Sequence, residues 1–69
     1  MITDENAYNI LELERSATVE EIAARYQMLK DQYNRMKDAA ADLKTRLACQ
    51  LKQIELDDAF IYFSNKQRV

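Results

Sequence analysis

The side chains that most often carry out catalysis or bind metal ions are scarce in this chain. There is no histidine, and Cys49 is the only cysteine. A cysteine becomes a strong nucleophile when nearby positive charge favours its thiolate form, but no cluster of basic residues adjoins Cys49 along the sequence. We therefore expect Cys49 to be a small buried apolar residue. One cysteine without histidine also excludes a zinc cluster of the usual kind.

Carboxylates are plentiful, with 12 Asp and Glu residues, but their spacing suits no reaction. Paired carboxylates hydrolyse glycosidic bonds when both face one substrate, whereas Asp57 and Asp58 are adjacent and would point about 100° apart on a helix. None of the acids lies in an alternating Asp/Asn loop with the central glycine of a calcium site. A nucleophile beside a base and a glycine-rich phosphate loop are also missing from the sequence. We therefore expect no enzymatic activity, no metal and no cofactor.

The composition predicts a single all-α domain over residues 1–69. The chain has no Gly and no Pro, the residues on which strand proteins depend for their turns. Apolar residues make up 48% and charged residues 32% of the chain, which is typical of a folded protein rather than a disordered one. A domain of this size buries roughly 60% of its unfolded surface, so its stability is marginal unless something else contributes.

The charge pattern argues against nucleic acid and against a membrane. The 10 basic and 12 acidic residues are interspersed, giving a net charge of −2 and no basic stripe. The apolar runs are too short to cross a bilayer. The first five residues include two acids, Asp4 and Glu5, and no basic residue, where a signal peptide would be basic and then apolar. We therefore predict cytoplasmic residence, with which one reduced cysteine agrees.

Helical spacing and capping signals place three helices. The first covers about residues 5–11. The second begins at Thr18, which forms a capping box with Glu21. Tyr26 and Tyr33 lie on the apolar face of this helix, where core packing is a more common role for tyrosine than stacking on a ligand. The third covers about residues 37–63. We place the reversal between the second and third helices at residues 34–37, because Asn34 tolerates a turn and one continuous helix would be unusually long.

The third helix carries apolar side chains on two opposite sides, whereas a surface helix needs only one apolar face. The inner stripe consists of Cys49, Leu56, Ala59, Phe60 and Phe63, continued upstream by Ala41 and Thr45. The outer stripe consists of Leu43, Leu47, Leu51, Ile54 and Ile61. Either the helix bends near residues 49–52 so that both stripes serve one core, or one stripe meets another molecule. We favour the second interpretation and predict a partner interface on the outer stripe.

The order and spacing of these residues resemble a J-domain over nearly the whole chain. The family opens with a Tyr-x-x-Leu helix, continues with an Ala-Thr-x-x-Glu-Ile-x-x-x-Tyr-x-x-Leu helix, and ends its third helix with an apolar and aromatic pattern. The corresponding residues are Tyr8, Leu11, Ala17, Thr18, Glu21, Ile22, Tyr26, Leu29, Leu56, Ala59, Phe60 and Phe63. The resemblance implies a short N-terminal helix followed by an antiparallel helical hairpin.

The chain departs from the family at its functional motif. Asn34, Arg35 and Met36 stand where the family has the His-Pro-Asp loop that, with a basic second helix, stimulates ATP hydrolysis by a heat-shock chaperone. Glu12 replaces a glycine, and Gln53 replaces an aromatic residue. J-like proteins without the tripeptide act in known cases as regulatory partners of true J-domains, notably in the mitochondrial import motor.

Two functions from different classes follow from these features. The first is a non-catalytic J-like interaction module that regulates or scaffolds a partner without stimulating a chaperone ATPase. Its partner would be another J-like protein, the chaperone machinery or a larger helical complex. The alternative is a small structural protein, a helical hairpin that forms homodimers through the outer stripe.

Overall fold

The computed structural model describes residues 3–67, which form three α-helices and contain no strand. Helix α1 is Asp4–Ile10, α2 is Val19–Ala39 and α3 is Leu43–Gln67. The prediction of an all-α chain is confirmed. Contacts along α2 and α3 run in opposite order, since Tyr26 stacks on Phe60 while Asn34, farther along α2, bonds to Gln53, farther back on α3. The two long helices are therefore antiparallel.

Local hydrogen bonds at both ends of helix α1 satisfy backbone groups that have no partner within the helix. Thr3 is the N-cap, and its hydroxyl accepts from the Asn6 amide at 3.2 Å. At the other end, the Glu12 amide donates to the Asn9 carbonyl at 3.1 Å, and the Leu13 amide donates to the Tyr8 carbonyl at 2.9 Å. This pair of bonds is a Schellman motif, which needs a left-handed residue after the cap. Glu12 supplies it with φ of 56°.

Helix α2 starts with the predicted capping box. The Thr18 hydroxyl accepts from the Glu21 amide, and the Glu21 carboxylate accepts from the Thr18 amide, both at 3.2 Å. These two bonds satisfy amide donors that have no partner within the helix. The capping signal in the sequence therefore gave the correct start of α2, which begins at Val19.

The predicted position of the reversal is wrong. Asn34, Arg35 and Met36 are helical residues within α2, and the chain reverses at residues 40–42. Two side chains explain the difference. The Asn34 side chain does not turn the chain but accepts a hydrogen bond from Gln53 on α3. The Asp42 carboxylate caps α3, accepting from the Thr45 amide at 2.9 Å and from the Thr45 hydroxyl at 2.8 Å.

One hydrophobic core joins the three helices. Its buried members are Ala7, Leu11, Ile22, Leu29, Leu56, Ala59 and Phe63. Tyr8 and Phe63 place their ring centroids 4.8 Å apart, which packs α1 against α3. The inner stripe thus faces the core from Cys49 to Phe63, as predicted. Thr45 and Ala41 are exposed, so the predicted upstream continuation of the inner stripe is wrong.

Candidate interaction surface

The outer stripe lies on the side of α3 that faces away from α1 and α2. All five of its side chains are exposed, by between 50% and 71% of their surface: Leu43, Leu47, Leu51, Ile54 and Ile61. Helix α3 is continuous from Leu43 to Gln67. The alternative in which a bend lets both stripes serve one core is therefore wrong for this chain. The structure leaves a row of large aliphatic side chains in contact with water.

The spacing within the outer stripe is that of a helix-pairing seam. Leu47, Ile54 and Ile61 recur at every seventh residue, and Leu51 lies between the first two. In a coiled coil, such residues occupy the two core positions of the seven-residue repeat. Asp58 continues the series that Leu51 begins and is also exposed. The outer stripe can therefore contact another helix along its length, with one acidic residue inside the seam.

Between Lys44 and Asp58 the charges of α3 are segregated along the helix. Lys44, Arg46 and Lys52 lie in the N-terminal half, and the next three charged residues are all acidic. These are Glu55, Asp57 and Asp58. Within the chain, Lys52 pairs with Glu55 at 3.5 Å and Asp57 pairs with Lys30 of α2 at 2.9 Å.

Asp57 is the centre of a polar cluster that ties α2 to α3. Its carboxylate accepts from the Tyr26 hydroxyl at 2.6 Å and from the Lys30 ammonium at 2.9 Å. These donors favour the ionised form, the Tyr26 hydrogen bond most, and lower the pKa of Asp57 below its ordinary value of 3.8. The Tyr26 ring stacks on Phe60 at 4.3 Å between centroids. In the sequence Asp57 stands out only as the neighbour of Asp58, and the local pattern does not reveal this role, although it places Tyr26 and Phe60 on apolar faces.

A second polar cluster holds α1 against the end of α3. The Asp4 carboxylate accepts from the Tyr62 hydroxyl and, at 2.9 Å, from the Lys66 ammonium. The hydrogen bond from Tyr62 and then that from Lys66 lower the pKa of Asp4. Both clusters contact the core side of the molecule and leave the outer stripe uncovered.

The second predicted site, residues 34–36, does not lie beside the outer stripe. Asn34 is bonded to Gln53, which is 8% exposed and lies on the side of α3 that faces α2. Met36 lines a groove of about 380 Å³ at the turn end of the two long helices, with Tyr33, Lys44, Thr45, Ala48, Cys49 and Lys52 as its other lining residues. Residues 34–36 thus lie on α2, and the outer stripe lies on the far face of α3. The two predicted sites do not form one surface.

The buried position of Cys49, 3% exposed, confirms its assignment to the apolar interior. Among residues 3–67, no three His, Cys, Asp or Glu side chains approach one another closely enough to hold a metal ion. In the same part of the chain, none of the helices has the length and apolar character that a bilayer crossing requires.

No protein-family model matches this chain, and neither a curated protein nor a solved structure is significantly similar to it.

Proposed function

We propose that this chain is a non-catalytic protein-binding module with a J-domain-like arrangement, and that it binds its protein partner through the outer stripe of α3. The observation that carries the proposal is the exposure of five large aliphatic side chains on one helix face. Contiguous apolar patches of a few hundred Å² usually mark interaction sites.

The energetic scale supports a binding role for the outer stripe. Burying a Leu or Ile side chain completely contributes about 1.5–3 kcal/mol. Each of these five is at least half exposed, so covering the remainder contributes roughly 1 kcal/mol apiece, or about 5 kcal/mol together. This gain is comparable to the whole stability of a small domain. Two molecules lose translational and rotational freedom when they associate. Together with neighbouring contacts, this gain is of the order needed to offset that cost.

Local geometry supports the J-domain-like part of the proposal. Glu12 adopts a left-handed backbone at the position where the family has glycine, the residue that tolerates this conformation best. A short helix precedes two long antiparallel helices, and α1 packs against α3 through Tyr8 and Phe63.

Other features support a role without ATPase stimulation. Asn34, Arg35 and Met36 are wound into α2, so no loop presents an aspartate at this position. Arg25 donates to the Glu12 carbonyl at 3.1 Å, and Lys30 pairs with Asp57. Two of the basic side chains of α2 are thus used inside the molecule, and the acidic residues Glu20 and Glu21 lie at its start.

The double substitution Leu47→Glu with Leu51→Glu tests the binding role. Because both side chains are exposed in the single chain, we expect the variant to keep its helical circular-dichroism signal and to lose association. Met28→Glu is the matched control, since Met28 is 51% exposed but lies on α2. Sedimentation velocity and chemical crosslinking, with and without cell extract, are the measurements. Equal association by the wild-type chain and the double variant would contradict the proposal.

A structural, self-associating role is the second candidate, and one observation favours it. The segregation of basic and acidic residues along α3 makes the outer stripe electrostatically complementary to itself when two copies run in opposite directions.

A further inference from the structure

We propose that the occupant of the outer stripe is a second copy of this chain, paired through α3 in an antiparallel arrangement. The inference rests on the proposed binding function and specifies its partner. An interface between two identical copies uses the same patch on both and must be self-complementary. The outer stripe meets this condition in its shape, in its charge and in its access to solvent.

The shape of the outer stripe suits pairing between two helices. Helix α3 has 25 residues and is therefore about 37 Å long, enough for three seven-residue repeats. Helices α1 and α2 pack on the opposite face of α3, where Cys49, Leu56 and Phe63 are buried. A second α3 can therefore lie along the outer stripe without a clash with the rest of either copy.

The charges of α3 favour an antiparallel pair over a parallel one. Lys52 and Asp57 each have an ion-pair partner within the chain. Among the ion pairs of residues 3–67, none involves Lys44, Arg46 or Asp58. Lys44 and Asp58 belong to the same seven-residue series as Leu51, so a parallel pair would place each of these two charges beside its own copy, and like charges repel. An antiparallel pair places the basic end of one stripe beside Asp58 of the other copy, and it also opposes the two helix dipoles.

The seven-residue spacing then fixes the register. In an antiparallel pair, the two core positions of the repeat face each other. Setting the two-fold axis between Leu51 and Ile54 brings Leu51 of each copy against Ile54 of the other. Leu47 then faces Asp58, and Lys44 lies one turn away from Asp58. The Lys44 ammonium can reach the Asp58 carboxylate, which compensates the cost of covering that charge.

Exchanging the charges of residues 44 and 58 tests whether the two α3 helices are antiparallel. Lys44→Glu places an acid beside Asp58 of the second copy, so we expect the dimer dissociation constant to rise by about tenfold at low salt. Adding Asp58→Lys restores opposite charges and should return the constant to within about threefold of the wild-type value. Sedimentation equilibrium is the measurement. In a parallel dimer the single variant would change little, and the pair would show no rescue; either result would overturn the proposal.

Disulfide trapping tests the register in a Cys49→Ala background, which removes the natural thiol. Mixed Leu47→Cys and Asp58→Cys chains should form a disulfide between the two variants upon oxidation. Leu47→Cys alone should not crosslink, because the two copies of residue 47 lie at opposite ends of the interface. A Leu47→Cys homodimer would instead show a parallel pair and would refute the antiparallel arrangement.

The two proposals fail in distinguishable ways. A wild-type chain that stays monomeric at high concentration, yet binds another protein through Leu47 and Leu51, would refute self-pairing and leave the binding function intact. A chain whose association is unchanged by Leu47→Glu with Leu51→Glu would refute both.

Discussion

Glu12 shows how a single backbone angle can affect stability in a chain without glycine. Its φ of 56° lies in the left-handed region, which costs a residue with a Cβ atom roughly 1–2 kcal/mol. The Schellman bonds at the end of α1 and the hydrogen bond from Arg25 to the Glu12 carbonyl hold it there. The position therefore stores strain that a different residue would relieve.

We predict that Glu12→Gly stabilises the protein by about 0.5–1 kcal/mol. Glycine removes the steric cost but adds freedom to the unfolded chain, so the net gain is smaller than the strain. Urea unfolding at fixed protein concentration measures the effect. Glu12→Ala is the control and should give little stabilisation, because alanine has the same Cβ atom. A loss of stability in Glu12→Gly would contradict the strain interpretation.

Asp57 should make stability depend on pH in the acid range. Its pKa is lowered in the folded chain by the Tyr26 hydroxyl and then by Lys30. A carboxylate with a lowered folded pKa contributes stability that is fully present above its unfolded pKa, near 3.8, and that is lost as the pH falls through the folded value. The loss therefore occurs below about pH 4.

We predict that Asp57→Asn is less stable than the wild-type chain at neutral pH and that the difference narrows as the pH falls below about 4. Asparagine keeps the size of the side chain but removes the charge that Lys30 contacts. Urea midpoints at several pH values give the comparison. Asp38→Asn serves as the control, because Asp38 is exposed on the last turn of α2. A stability difference between the two chains that does not change with pH would show that the charge of Asp57 does not contribute to stability.

At the scale of the elements, the turn between α2 and α3 depends on a cap rather than on a flexible residue. Ala40 leaves the helical region with φ of −71° and ψ of 129°, and Asp42 then caps α3 through Thr45. The Thr45 backbone bond, followed by its hydroxyl, lowers the pKa of Asp42. A capping carboxylate at the start of a helix also interacts favourably with the helix dipole.

We predict that Asp42→Ala destabilises the protein by about 1 kcal/mol, the usual cost of losing an N-cap. Asp42→Ser should recover most of this loss, because serine also accepts from the third amide of a helix. Asp38→Ala, which removes an exposed acid without a capping role, is the control. Thermal and urea unfolding followed by circular dichroism provide the values. An Asp42→Ala variant as stable as Asp38→Ala would show that the cap does not determine where α3 begins.

For the whole molecule, the proposed function makes a negative prediction. The chain should not accelerate ATP hydrolysis by a heat-shock chaperone, because residues 34–36 are helical and contain no His-Pro-Asp motif. A single-turnover ATPase assay with a chaperone and a true J-domain as positive control is the measurement. Clear stimulation by this chain would contradict the proposal that it has a J-domain-like arrangement without stimulating a chaperone ATPase.

The sequence alone predicted the features that depend on local spacing. The absence of Gly and Pro and the apolar periodicity gave three helices, and Thr18 with Glu21 marked the start of α2. The two stripes of α3 were also predictable, because the angle between residues on a helix follows from their separation along the chain. That the outer stripe is an interface, and that the chain is J-like, remain predictions.

Only the tertiary structure decided where α2 ends and which side chains hold the helices together. Asn34 has a high turn propensity, but the hydrogen bond from Gln53 comes from a residue 19 positions away. Asp57 likewise meets Tyr26 and Lys30 only after the hairpin has closed. Local propensities amount to tenths of a kcal/mol per residue. Packing and hydrogen bonds between helices outweigh them, and these contacts do not exist until the chain has folded.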